Sequence, residues 1–199
     1  MNRVKDEVAA LKRARIIDAA TQLFYERGYA NTKLDDVAEL LGVTKPFLYS
    51  HAGNKAALLE QVSAIGIRRA ILAFDEADAR QSGPAETLRY FIPRYLTAIL
   101  ESQRSIAINI REEKNLEPAA AERLGELRQS FMMRVEALLE RGLTNGEINV
   151  PDARIAAYAL VGAVSWTTFW FKPGGTLSVE EVSDRMTRMF VTLARPEAQ

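Results

Sequence analysis

Apolar residues recur along this chain at intervals of three and four, the spacing that lines one face of an α-helix. Ile16, Ala20, Leu23 and Phe24 form a first stripe, and Gly28 is placed to stop that helix just past its end. Leu34, Val37, Ala38 and Leu41 form a second stripe. Thr32 is placed to cap it, Asp35 favours the N-terminal end of its dipole, and Gly42 ends it. A very short helix fits from Thr44 to about Ser50, with Pro46 in its first turn, where no backbone N–H is needed. Asn54 suits the N-cap of a longer helix carrying Leu58, Leu59, Val62, Ile65 and Leu72.

The rest of the chain keeps the same period. Leu88, Phe91, Ile92, Tyr95, Leu96 and Ile99 share a face, with Pro93 placed to bend their helix. Pro118 starts a long helix with Leu124, Leu127, Phe131, Val135 and Leu138, which Gly142 and "TNGE" should end. Asp152 caps a strongly apolar helix to about Trp170, and "KPGG" closes it. Ser178 and Glu181 make a capping box for a last helix with Val182, Met186, Met189 and Phe190. The expectation is an all-α fold of about nine helices, with no strand and no internal repeat.

Composition narrows the chemistry. The 199 residues suit one large domain or two small ones, and 48% apolar with 26% charged residues is the make-up of a soluble globular protein. There is no cysteine and one histidine, so a zinc site or a Cys/His nucleophile pair has almost no ligands to draw on. No metal and no cofactor is expected. No apolar run reaches membrane-spanning length, and "MNRVKDEVAALKRARII" lacks the apolar core of a signal peptide, so a cytoplasmic protein without a membrane partner is expected. Net charge is zero, but residues 1–55 hold nine Lys/Arg against seven Asp/Glu, a balance of +2. That permits a local nucleic-acid face in a neutral chain.

The second and third helices with the Gly42 turn make a helix-turn-helix, whose second helix enters the major groove. Val43 and Leu48 face inward in that arrangement, which leaves Thr44, Lys45, Phe47 and Tyr49 outward, toward thymine methyls and phosphates. Phe47 packing beneath the following helix is an equal alternative. Lys55, in the first turn of its helix, suits one phosphate, and Thr32 with Lys33 suits another. His51 reads as a structural hydrogen-bonder.

"RIIDAATQLFYERGY", "TKLDDVAELLGVTKPFLYSH" and "NKAALL" resemble the DNA-binding domain of the TetR family of bacterial repressors, over residues 12–62. The resemblance implies a homodimer on palindromic operator DNA, with residues 1–55 as the helix-turn-helix domain and 56–199 as a helical ligand-binding and dimerisation domain. It places Thr32 and Lys33 at the start of a phosphate-facing helix and Thr44, Lys45, Pro46 and Phe47 at the opening of the recognition helix. Tyr49, His51 and Lys55 match positions that contact the DNA backbone. Ala52 stands where the family usually has an aromatic residue, which leaves a looser turn or a gap for Tyr25 or Tyr29 to fill.

"ALVGAVSWTTFWFKPGGTLSVEEVSDRMTRMF" and "IREEKNLEPAAAERLGELRQSFMMRVEALLERGLTNGEI" resemble a TetR subgroup that answers to acyl-CoA thioesters and controls fatty-acid, sterol-ring or aromatic-acid breakdown. A regulator of an efflux pump answering to hydrophobic drugs is the alternative within the family. An all-helical enzyme, or an interaction module without DNA binding, is the remote one. Within the body, the last two helices are the expected dimer faces, through Ile155, Ala159, Ala163, Trp170, Met186, Met189 and Phe190. A mostly apolar pocket with a few polar groups would draw on Phe91, Tyr95, Asn109, Arg111, Phe131 and Trp166, with Arg111 within reach of a CoA phosphate or part of a solvated ion-pair face.

Overall fold

The computed structural model describes residues 2–193, with side chains from 5 to 191. These residues form ten α-helices and one short 3₁₀ turn, with no strand among them. The helices are α1 (Asn2–Arg27), α2 (Leu34–Leu41), α3 (Lys45–Ala52), α4 (Lys55–Ser63), α5 (Ile65–Asp78), α6 (Pro84–Glu101), α7 (Gln103–Glu112), α8 (Pro118–Thr144), α9 (Ala153–Trp170) and α10 (Val179–Leu193). The 3₁₀ turn, Glu113–Asn115, follows α7. The helix expected from Asn54 to Leu72 is divided at Ala64 into α4 and α5.

Most of the expected caps form. Thr44, Asn54 and Asp152 accept from the backbone N–H three residues on, and Ser178 exchanges both bonds of its capping box with Glu181. Gly28 and Gly42 end α1 and α2 with φ of 83° and 64°, a region that a side chain makes costly. α2 differs: its N-cap is Lys33, whose N–H donates to the Asp36 carboxylate at 2.7 Å. α1 begins well before its apolar stripe. Residues 5–15 are exposed, and their Ala, Lys, Arg and Glu content favours helix without burial.

The chain divides into two compact units, residues 1–65 with 104–124, and residues 66–103 with 125–199. This grouping differs from a boundary at residue 55, because α4 and the returning segment 104–124 belong with the head helices. In the first unit α1 packs on α2, α3 and α4 around Ile16, Leu23, Phe24, Val37, Leu48, Leu58 and Leu59. Ile108 joins this core and Leu116 packs against it. In the second unit α6 packs against α9 and α10. Its centre is a ring cluster in which Phe91 stacks on Tyr95 at 5.2 Å, with Phe74 and Phe131 at its edges.

Gly142 does not end α8, which runs on to Thr144. It is buried, and a Cβ at this position would sit 2.7 Å from Ile148 Cγ1. Glycine here is dictated by packing. Gly142→Ala is therefore expected to destabilise the protein by about 1–3 kcal/mol through overpacking, although the same change in an open helix interior gains about 1 kcal/mol. A thermal melt of the variant checks the sign.

Candidate nucleic-acid interface

The second helix of the helix-turn-helix is only eight residues long and buries two of them, Leu48 and Ala52. Thr44, Lys45, Pro46, Tyr49 and Ser50 are left exposed on it. Lys45 reaches back to Asp35 on α2 at 2.6 Å, a pair exposed on both sides. The hydrogen bond and charge of Asp35 push the Lys45 pKa up, so the residue stays cationic. An exposed pair of this kind is worth little and can be exchanged for a phosphate.

Phe47 is half-buried. It stacks on the His51 ring at 4.3 Å, with the Lys12 ammonium 5.4 Å from its centre. It thus packs against its own helix and beside α1, and the exposed row is Thr44, Lys45, Pro46 and Tyr49. His51 Nδ1 lies 2.9 Å from the Phe47 carbonyl and 2.8 Å from Ser50 Oγ. With a proton on Nδ1 the ring donates to that carbonyl, the structural role expected of it.

Thr32 departs from its expected place at a phosphate. Its side chain is fully buried, and its hydroxyl lies 2.9 Å from the Gly28 carbonyl and 3.3 Å from that of Leu23. It ties the α1–α2 turn together and cannot face solvent. Lys33 beside it is exposed. Lys55 is folded inward, its ammonium 4.2 Å from the centre of the Tyr29 ring and 3.4 Å from the Ala30 carbonyl. Burial lowers its pKa, against the pull of Glu112 and Asp36. Ala52 is buried, Tyr29 packs edge-on against Phe24, and Tyr25 is exposed beneath Arg104.

The six residues expected to line a ligand pocket do not come together. Phe91, Tyr95 and Phe131 fill the core of the second unit by packing on one another. Burial pushes the Tyr95 phenol up to about 12, so it stays neutral and shares a 2.8 Å hydrogen bond with Ser165. Trp166 is 62% exposed and leans on Phe169 at the surface of α9. Asn109 and Arg111 lie in the first unit. Arg111 donates to the Phe24 carbonyl and, at 3.0 Å, to Glu112. It is a half-exposed cation tied to these two partners.

Sequence reasoning missed Glu112. It is buried at the end of α7 and accepts from the Tyr29 N–H at 3.4 Å, from Asn115 at 2.8 Å and from Arg111. Burial would raise its pKa, but these hydrogen bonds and the guanidinium charge outweigh it and hold the carboxyl below its usual range. The stability it contributes is present above the unfolded-state pKa and is lost as pH falls through the lower folded value. Sequence reasoning also missed an apolar groove of about 520 Å³ in the second unit, lined by Leu88, Leu139, Ile155, Ala156, Leu160 and Phe190, with Asp152 as its acidic member.

The buried hydroxyl gives a direct check. Thr32→Val keeps the shape and removes both hydrogen bonds, leaving two buried carbonyls with one partner fewer. It should cost about 1–3 kcal/mol in denaturant unfolding, whereas Lys33→Ala next to it should stay within about 0.5 kcal/mol of wild type.

Residues 16–62 match the family described as bacterial regulatory proteins, tetR family. Residues 81–194 match the tetracyclin repressor-like, C-terminal domain. The HTH-type transcriptional repressor KstR2 of Rhodococcus jostii (strain RHA1) is 27% identical over 176 residues, which cover 86% of this chain and 85% of that protein. The TetR family regulator PfmR from Thermus thermophilus superposes with a TM-score of 0.79 at 28% identity, over 89% of this chain and 97% of that one. AibR, solved in complex with isovaleryl coenzyme A and operator DNA, superposes with a TM-score of 0.73 at 25% identity, over 89% of this chain and 96% of its own. The chain thus belongs to the TetR family, as a helix-turn-helix DNA-binding transcriptional regulator and not an enzyme.

Proposed function

We propose that this protein is a homodimeric repressor that leaves palindromic operator DNA when a small acyl-CoA thioester binds its body, and that it acts in the cytoplasm. The observation that carries the DNA half is the outward row of α3, where Thr44, Lys45, Pro46 and Tyr49 are exposed while Leu48 anchors the helix. In a dimer two such helices meet successive major grooves about 34–36 Å apart. Lys33 and Lys45 take phosphates, and Tyr49 takes a phosphate or a thymine methyl. Thr32, Phe47 and His51 support them from within the fold.

The dimer half rests on an unusual surface. Ile155, Tyr158, Trp166, Phe169 and Trp170 on α9 and Met189 on α10 are each at least 45% exposed. So much large apolar side chain on two helices of one unit marks a protein–protein surface. Ala159, Ala163, Met186 and Phe190, on the same two helices, extend it. Trp166 thereby moves from the pocket to the dimer face.

The effector half is supported by AibR, whose complex contains isovaleryl coenzyme A; the apolar groove beside Leu88 and Leu139 shares Ile155 and Phe190 with the dimer face and belongs to that surface. Release follows only from differential affinity for the two states of the dimer, and a hundredfold loss of operator binding requires about 2.7 kcal/mol of it.

Three measurements bear on this reading. Lys45→Ala should lower the slope of log K against log salt by about 1 on duplex DNA from upstream of the gene. An unchanged slope removes Lys45 from the phosphate contacts. Trp170→Glu should give a monomer in sedimentation and lower operator affinity at least a hundredfold; a dimer of wild-type strength moves the interface elsewhere. Titrating the wild-type complex with isovaleryl-CoA and longer acyl-CoA thioesters should release the DNA with at least one of them. Indifference to every thioester leaves the regulator and ends the thioester assignment.

A further inference from the structure

The α1–α2 turn, residues 28–33, exposes Ala30, Asn31 and Lys33, yet it is held from several directions. Thr32 binds its inside, through the carbonyls of Gly28 and Leu23. Lys55, the first residue of α4, caps the Tyr29 ring and reaches the Ala30 carbonyl. From the returning segment, Arg111 binds the Phe24 carbonyl in the last turns of α1, and Glu112 takes the Tyr29 N–H. Glu112 is buried and spends its acceptors on three donors, two of which, Arg111 and Asn115, are its own neighbours in the chain. Its remaining partner is the backbone of the turn. Ile108, one turn earlier, is fully buried in the head core and fixes the end of α7 there.

We infer that Arg111 and Glu112 are positioning residues for DNA binding, a two-point clamp from the end of α7 that fixes the α1–α2 turn and through it the pitch of the reading helix. The inference rests on the reading of the protein as a DNA-binding regulator. α2 starts at Leu34, soon after Tyr29, and Thr32 makes the intervening turn stiff, so a shift at Tyr29 is passed to α2. α3 is too short to hold its own orientation and follows the helices on which it packs, α2 and α1 foremost. Neither clamp residue lies on α3. The Arg111 bond to the Phe24 carbonyl is the short arm of the clamp, and the Glu112 bond to the Tyr29 N–H, at 3.4 Å, is the long one. Arg111 and Glu112 belong to the first compact unit, while α7 itself begins at Gln103 in the second.

The test uses the full-length dimer and a fluorescein-labelled duplex from upstream of its gene. Glu112→Ala should weaken binding at least tenfold with the salt slope unchanged, because no phosphate contact is lost. The Tyr29 amide should exchange with solvent at least tenfold faster. Glu112→Gln retains a carbonyl for the Tyr29 N–H and should recover most of the affinity. Arg111→Ala, which leaves Glu112 in place, should weaken binding at least threefold, and it decides the matter if Glu112→Ala fails to fold. Affinities within twofold of wild type overturn the clamp, as does a salt slope that falls by about 1, which would mean direct contact with DNA. Tyr29 exchange needs no DNA: an unchanged rate in Glu112→Ala overturns the clamp, while absence of sequence preference in the wild type overturns the regulator reading alone.

Discussion

The reading face of this protein depends on one buried side chain. α3 has eight residues, too few to form a stable helix in water, and it buries only Leu48 and Ala52. Leu48 is fully enclosed by the α1–α2 core that contains Val37, Leu23 and Ile16. With that anchor fixed, the 3.6-residue period leaves Thr44, Lys45, Pro46 and Tyr49 no direction but outward. Thr44 caps the helix, and Pro46 gives up an N–H that would have had no partner. The exposed chemistry is thus placed by an apolar contact on the opposite side of the helix, and Lys45 and Tyr49 need hold no position of their own.

The same logic explains what is legible in the sequence. Stripes and caps are local, and they predict α2, α3, α9 and α10, both ends of α9, and the N-cap roles of Thr44, Asn54, Asp152 and Ser178. Thr32 misleads because a threonine before a helix looks the same whether its hydroxyl caps forward or turns back, and here the core beneath it draws it back to Gly28. Gly142 reads as a stop because the residue that needs its space, Ile148, approaches only after the Asn145–Gly146 turn has brought the chain back.

The ligand and clamp residues are harder for a tertiary reason. Phe91, Tyr95 and Phe131 share a helical face pattern with any pocket wall, and only their mutual stacking shows that they fill the space themselves. Trp166 and Trp170 lie on an apolar helix whose pattern does not tell a core from an interface, and only the folded chain shows that both stand outside its own core. Arg111 and Glu112 sit in "REEK", a run that reads as a solvated charged face. Nothing within that run indicates partners as distant in the chain as Phe24 and Tyr29.

A neutral chain can serve as a DNA-binding regulator because the charge it needs is small and local. Lys33 and Lys45 are exposed near the reading helix, while Lys55 and Arg111 are turned inward to hold the α1–α2 turn. Half of the cations that the sequence offered to DNA and ligand thus have partners within the fold. This division limits non-specific attraction, which grows with every phosphate neutralised, and leaves sequence choice to the geometry of a short helix. A head built this way gains affinity mainly from orientation. Its binding is therefore sensitive to any contact that sets the orientation, and the contacts at the end of α7 are of that kind.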